Sequence, residues 1–193
     1  MTNPIPLVHG KYYHIYNRGN NRENIFIEER NYAYFLKLYA QYIEPNADTF
    51  AYCLMRNHFH LLVAIKDLTG LKEPSQYFSN LFNSYAKAIN KAYQRTGALF
   101  QRPFGRIEIT SDAYFLVLTA YIHQNPQRHG FVKDFRSWPY SSYSALLSEN
   151  PTRLKRDMVL AWFGGKKQLE EFHHIKVEDG DIAAFLPDEG DFN

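Results

Sequence analysis

Residues 48–66 constrain the fold more tightly than any other stretch. Asp48 to Arg56 and His58 to Lys66 are two strand-like runs joined by a short connection at Arg56-Asn57. So short a link joins antiparallel neighbours, because parallel strands need a crossover of a dozen or more residues. The chain therefore contains an antiparallel hairpin. In its second strand, successive side chains point to opposite faces. His58 and His60 then share one face, and Phe59 takes the other. Two imidazoles one strand step apart can hold one metal ion, although histidine pairs also occur simply as satisfied core residues.

The rest of the chain surrounds that hairpin. Lys11 to Asn17 alternates aromatic and polar residues and reads as a first strand, followed by turn chemistry at Arg18-Gly-Asn-Asn-Arg22. Tyr32, Phe35, Leu36, Tyr39, Tyr42 and Ile43 recur at three- and four-residue spacing, which predicts a helix over 28–44 that ends before Pro45. After a loop at 68–74, a second helix is expected over 75–95, with Lys87, Lys91 and Arg95 along one edge. A short fourth strand is expected over 106–110. Ser111 is a good N-cap for a third helix, apolar almost all round, running to about Gln124. The order strand, helix, strand, strand, helix, strand, helix predicts an α+β fold. It is a ferredoxin-like βαββαβ antiparallel sheet with an additional helix. Helices on one face would leave the other sheet face free for a ligand. Residues 1–130 form the expected main domain. Residues 131–176 read as a partly helical extension, with Trp138 to Tyr143 compact and Asp157 to Phe163 a short helix stopped by Gly164-Gly165. Residues 177–193 read as a flexible acidic tail.

Composition narrows the function classes. The single cysteine, Cys53, excludes an internal disulfide and a cysteine zinc cluster, and fits a reducing compartment. No apolar run approaches the length of a membrane span, and the N-terminus lacks the pattern of a secretory signal, so a cytoplasmic location is expected. Net charge is +2 but unevenly placed. Residues 177–193 hold six acids and no base, so residues 1–176 set all 22 basic residues against 14 acids, a net of +8. A basic body suits a polyanionic partner. As a hypothesis, the tail competes with that partner for the body.

A metal site needs a third ligand, and a nucleophile must lie near it. On the third helix Tyr121 and Asn125 stand four residues apart and share a face, while His123 points elsewhere. Asn125 offers an amide oxygen. A phenol is a weak nucleophile at neutral pH and a phosphodiester repels attack, so Tyr121 would need a metal to draw off charge and fix the phosphate.

Several segments resemble one family. Met55-Arg-Asn-His-Phe-His-Leu-Leu62 looks like the HUH motif of single-tyrosine transposases. Tyr12 to Phe26, Gly97-Ala-Leu-Phe-Gln-Arg-Pro-Phe104, Tyr121-Ile-His-Gln-Asn-Pro-Gln-Arg-His-Gly130 and Trp138-Pro-Tyr-Ser-Ser-Tyr143 are similar to the REP-associated tyrosine transposase branch. The resemblance spans about residues 10–176. It implies a nuclease that cleaves and rejoins single-stranded or hairpin DNA. By position, His58, His60 and Asn125 would ligate Mg²⁺ or Mn²⁺, and Tyr121 would form a 5′-phosphotyrosine. It also implies either a monomer or a homodimer. For DNA, the sequence offers Arg18, Asn20, Asn21, Arg22, Lys87, Lys91, Arg95, Arg102 and Arg106. Tyr12, Tyr13, Tyr16, Phe50 and Tyr52 are candidate stacking surfaces. Two rival readings remain: a non-catalytic, domesticated nucleic-acid-binding protein on the same fold, and a small metal-dependent hydrolase.

Overall fold

The computed structural model describes residues 4–67 and 73–175. Strand β1 spans Tyr12–Arg18, helix α1 Glu29–Tyr42, β2 Ala47–Leu54, β3 His58–Ile65, α2 Pro74–Ala92, β4 Gly105–Ile109 and α3 Asp112–Arg128. Three short helices follow: α4 Tyr143–Leu147, α5 Arg156–Phe163 and α6 Lys166–His174. The four strands form one sheet in the order β2-β3-β1-β4, with every neighbouring pair antiparallel. This is the ferredoxin-like arrangement, and it puts β1 and β3 at the centre. The acidic tail and most of the loop at 68–74 lie outside the described residues.

Local chemistry explains the element ends. Asn31 Oδ1 accepts from the backbone N–H of Ile27 and Glu28, both at 2.9 Å, closing a capping box at the start of α1. Pro74 opens α2, where its missing N–H costs nothing. Ser111 Oγ accepts from Tyr114 N–H at the start of α3. Gly164 stops α5 with φ +86°, in the left-handed region.

The α3 helix departs from expectation. It runs through Pro126 to Arg128 rather than ending near Gln124. Proline biases its predecessor away from helical geometry, but that preference yields here to burial, since residues 118–126 are all buried.

Strand alternation divides the core into two layers. Tyr13, Ile15, Phe59, Leu61 and Val63 pack against Phe35, Leu38, Phe78 and Tyr85 of α1 and α2. On the opposite face Ala51, Cys53, Leu62 and Ile109 pack against Phe115, Leu118 and Ile122 of α3, and against Val159, Phe163 and Leu169 of the extension. The second face is therefore covered, not free. The extra helix is as apolar as a core helix, and exposing it would forfeit about 25 cal/mol for each Å² of apolar surface.

The extension also seals the sheet edge. Leu54 N–H donates to the carbonyl of Tyr140, Ser142 N–H to that of Tyr52, and Lys155 N–H to that of Thr49. An open edge strand is a template for unwanted pairing, and β2 is closed this way. Tyr140 stacks on Tyr32 with ring centroids 3.6 Å apart, and Trp138 Nε1 donates to the carbonyl of Leu54.

Candidate active site

The two central strands and α3 meet over one end of the sheet. On β3, His58 and His60 face α3, as the period of two requires, and both are buried. On β1 the same face carries Tyr12, His14, Tyr16 and Arg18, with Tyr16 opposite His60 and Arg18 opposite His58 in the register. His14 Nε2 lies 2.8 Å from His60 Nδ1, with the rings stacked 5.0 Å apart. Tyr16 stacks beside both imidazoles, at 4.9 Å from His14 and 6.1 Å from His60. Gly105 on β4 makes room for that phenol, because a Cβ there would fall inside the Tyr16 ring.

From α3, the Tyr121 ring meets His60 edge-on with centroids 5.7 Å apart. One turn on, Asn125 stands beside His58. Its Nδ2 donates to the carbonyl of Tyr121 at 3.2 Å. Its Oδ1 is buried and meets no donor in hydrogen-bonding geometry. The four-residue ladder continues to His129, whose ring lies 4.8 Å from that of His58. The Arg128 guanidinium lies over the Tyr121 ring at 5.1 Å.

Burial keeps the imidazoles neutral. It pushes His14 down to about 3. It pushes His58 down to about 3, with the charges of His129 and Arg18 adding to the effect and Asn125 opposing it. His60 is driven well below its ordinary value, first by burial and then by its histidine neighbours. A neutral imidazole keeps a lone pair for a metal or a donor. Among the described residues no three His, Cys, Asp or Glu side chains converge as a metal cage.

A family model described as "Transposase IS200 like" matches residues 7–125, the segment that carries all four strands and α3 as far as Asn125. The chain belongs to that family. A Haemophilus influenzae protein named as a REP-associated tyrosine transposase is 28% identical over 103 residues, which cover 50% of this chain and 58% of that one. A solved structure titled as a REP-associated tyrosine transposase bound to a REP hairpin superposes with a TM-score of 0.63 at 16% identity, covering 78% of this chain and 88% of the other. That likeness shows the shared fold.

In this IS200-like chain the expected DNA-binding residues fall in several places. Arg18 is half-buried at the site's edge, opposite His58. Asn20, Asn21 and Arg22 form a tight turn beside it, with Asn21 and Arg22 exposed and in left-handed conformations. Lys87 and Lys91 are exposed on α2. Arg95 does not extend that helical row. The helix ends at Ala92, and Arg95 is half-buried, ion-paired to Glu23 and donating to Asn90. Arg102 and Arg106 lie away from the histidines, Arg106 on the opposite sheet face. Of the candidate stacking rings, Tyr13 and Phe50 are core residues, Tyr12 packs on Phe50 and Trp162, and Tyr52 packs on the α1 side. Only Tyr16 adjoins the histidines.

Sequence reading missed His14 and His129. The signal for His129 was present, since 121, 125 and 129 continue one helical row. His14 required the strand register, which no local pattern shows.

Proposed function

We propose that this chain is a metal-dependent endonuclease and strand transferase for single-stranded DNA, acting at hairpins of palindromic repeats through a 5′-phosphotyrosine on Tyr121. One observation carries the reading. Two segments far apart in the chain, β3 and α3, bring Tyr121 against His60 and Asn125 against His58. The names of the similar proteins, one solved with a REP hairpin, support hairpin DNA as the partner. No helix among the described residues is long and apolar enough to cross a membrane.

The donor set fits a divalent ion. Two neutral imidazoles and a buried amide oxygen without a hydrogen-bond donor suit Mn²⁺ or Mg²⁺ completed by phosphate and water. His58, His60 and Asn125 would hold such an ion, which would supply Lewis acidity to the phosphodiester. The protein's own groups do the rest. The Tyr121 oxygen attacks phosphorus, the P–O3′ bond breaks, and the phenol loses its proton while the released 3′ oxygen gains one. A 3′-hydroxyl later displaces Tyr121 in the reverse sense, so the bond energy is conserved. Arg128 over the phenol ring puts positive charge where negative charge collects. His14 holds His60. For His60 to present Nε2, its Nδ1 must carry the proton and donate to His14 Nε2.

The test is a denaturing gel with hairpin DNA bearing a single-stranded flank and Mn²⁺. A DNA-linked protein band that Tyr121→Phe removes is expected. Tight binding without such a band would put the non-catalytic reading in its place. Turnover of small phosphodiesters surviving Tyr121→Phe would favour the hydrolase.

A further inference from the structure

A second cleft lies on the other side of the same strand end. It encloses about 390 Å³ between α2, the 97–104 loop and the ends of β1 and β4. Its polar wall includes Asn17, Asn83, Arg102 and Arg106, and its apolar wall includes Phe100 and Phe104. No lining residue is acidic.

The polar groups present donors. Asn17 Oδ1 is taken by Arg18 N–H at 2.8 Å, which leaves its Nδ2 for a ligand. Asn83 Oδ1 is taken by Arg102 Nη2 at 3.0 Å, which leaves the Asn83 Nδ2. Arg106 is half-buried, its guanidinium 3.9 Å above the Phe104 ring. Its Nε is buried without a hydrogen-bond partner, and no carboxylate pairs with it among the described residues. Burying a cation without a counter-ion is costly, and it is tolerated where a ligand brings the charge. A donor-lined wall facing aromatic rings suits an anionic, flat, acceptor-rich molecule. A nucleotide combines a phosphate for arginine with a base for the rings. The volume falls in the range of small-ligand pockets.

We propose that this cleft binds one nucleotide of the DNA strand on which Tyr121 acts. This rests on the reading above. Asn17 pairs with Phe59 and Arg18 with His58 in the register, so the cleft and the Tyr121 site occupy opposite faces of one strand end. A strand that reaches both must turn round the Arg18-Gly19 corner. A nucleotide seated in the cleft then fixes which phosphate lies at Tyr121, making the cleft a determinant of cleavage position.

The experiment compares a hairpin carrying a single-stranded flank, the same hairpin without it, and a deoxynucleoside monophosphate, by fluorescence anisotropy and competition. Arg106→Gln should weaken the flanked hairpin by about tenfold, lower its salt slope by about one, and leave the unflanked hairpin within about twofold. Arg102→Gln, at an exposed position that spares the fold, should act in the same direction by less. Equal losses on both hairpins, or no loss on either, would overturn the proposal. A monophosphate that saturates the cleft without being displaced by flanked DNA would reassign it to free nucleotides. Wild-type protein that binds neither hairpin refutes the DNA reading instead. In that case, monophosphate binding that Arg106→Gln abolishes still decides whether the cleft takes nucleotides.

Discussion

Two buried histidine clusters lie on the same side of the sheet and differ in how their atoms are satisfied. In the first, His123 Nε2 lies 2.7 Å from Ser142 Oγ, His123 Nδ1 lies 2.7 Å from His173 Nε2, and His173 Nδ1 lies 2.7 Å from the carbonyl of Leu169. The carbonyl can only accept, so His173 carries its proton on Nδ1. His123 then donates from Nδ1, and Ser142 donates to His123 Nε2. Every ring nitrogen is used, and the chain of donors clasps α6 to α3 and to β2. In the second cluster, two buried atoms, His14 Nδ1 and Asn125 Oδ1, have no hydrogen-bond partner. The first is a fastening, and the second leaves buried polar atoms that the proposed metal and substrate would account for. A buried histidine near Tyr121 is therefore not evidence of catalysis by itself, since His123 is only two residues from it.

Substitutions should separate the clusters. His58→Ala or His60→Ala should reduce cleavage by about a hundredfold or more and weaken Mn²⁺ binding in calorimetry. Unchanged cleavage would remove the metal site and erase the contrast. His14→Phe should lower Mn²⁺ affinity by about 10- to 100-fold, and His14→Gln, which keeps an acceptor, should recover part of it. Ser142→Ala strands His123 Nε2 and the Tyr52 N–H that it now serves, and should cost about 2–3 kcal/mol of unfolding free energy while leaving Mn²⁺ affinity alone. A loss of metal binding there would mean that the clusters are coupled.

Acid should loosen the clasp. Burial holds His173 down to about 4 and His123 well below its ordinary value, so both stay neutral when folded. Unfolded histidines take up protons below about 6.5, which makes the unfolded state the greater proton binder. Stability is full above about pH 6.5 and falls as pH drops toward 4, by about 1.4 kcal/mol per pH unit for each histidine held neutral. Thermal melts across that range in His173→Phe should show a shallower slope than wild type. The smallest effect is expected from Arg95→Gln, whose ion pair to Glu23 is partly exposed. DNA affinity should change by less than about threefold.

Most of the fold was legible because its elements carry their own signals. The hairpin at 48–66, the cap at Ser111 and the stripes of α1 and α2 are local patterns. What escaped depended on distant partners. Nothing in the sequence around Trp162 says that its ring meets Tyr12, Phe50 and Phe115 and helps to close the sheet's second face. The extent of α3 escaped because pre-proline bias is local and the burial that overrides it is not. The pairing of Tyr121 and Asn125 came from helical spacing. The partnership of His14 with His60, 46 residues apart, belongs to the register of two central strands. Arg95 looked like part of a basic row because its acid, Glu23, lies 72 residues earlier.

The clasp has a consequence for synthesis. The histidine that fastens α3 stands at position 173, far behind the strands and Tyr121 in order of translation. A ribosome making this protein releases β1, β3 and Tyr121 well before His173 reaches His123. Under the proposed reading, the enzyme is set for cutting only once α6 has been made, and a chain that stops before α6 has its blade unfastened.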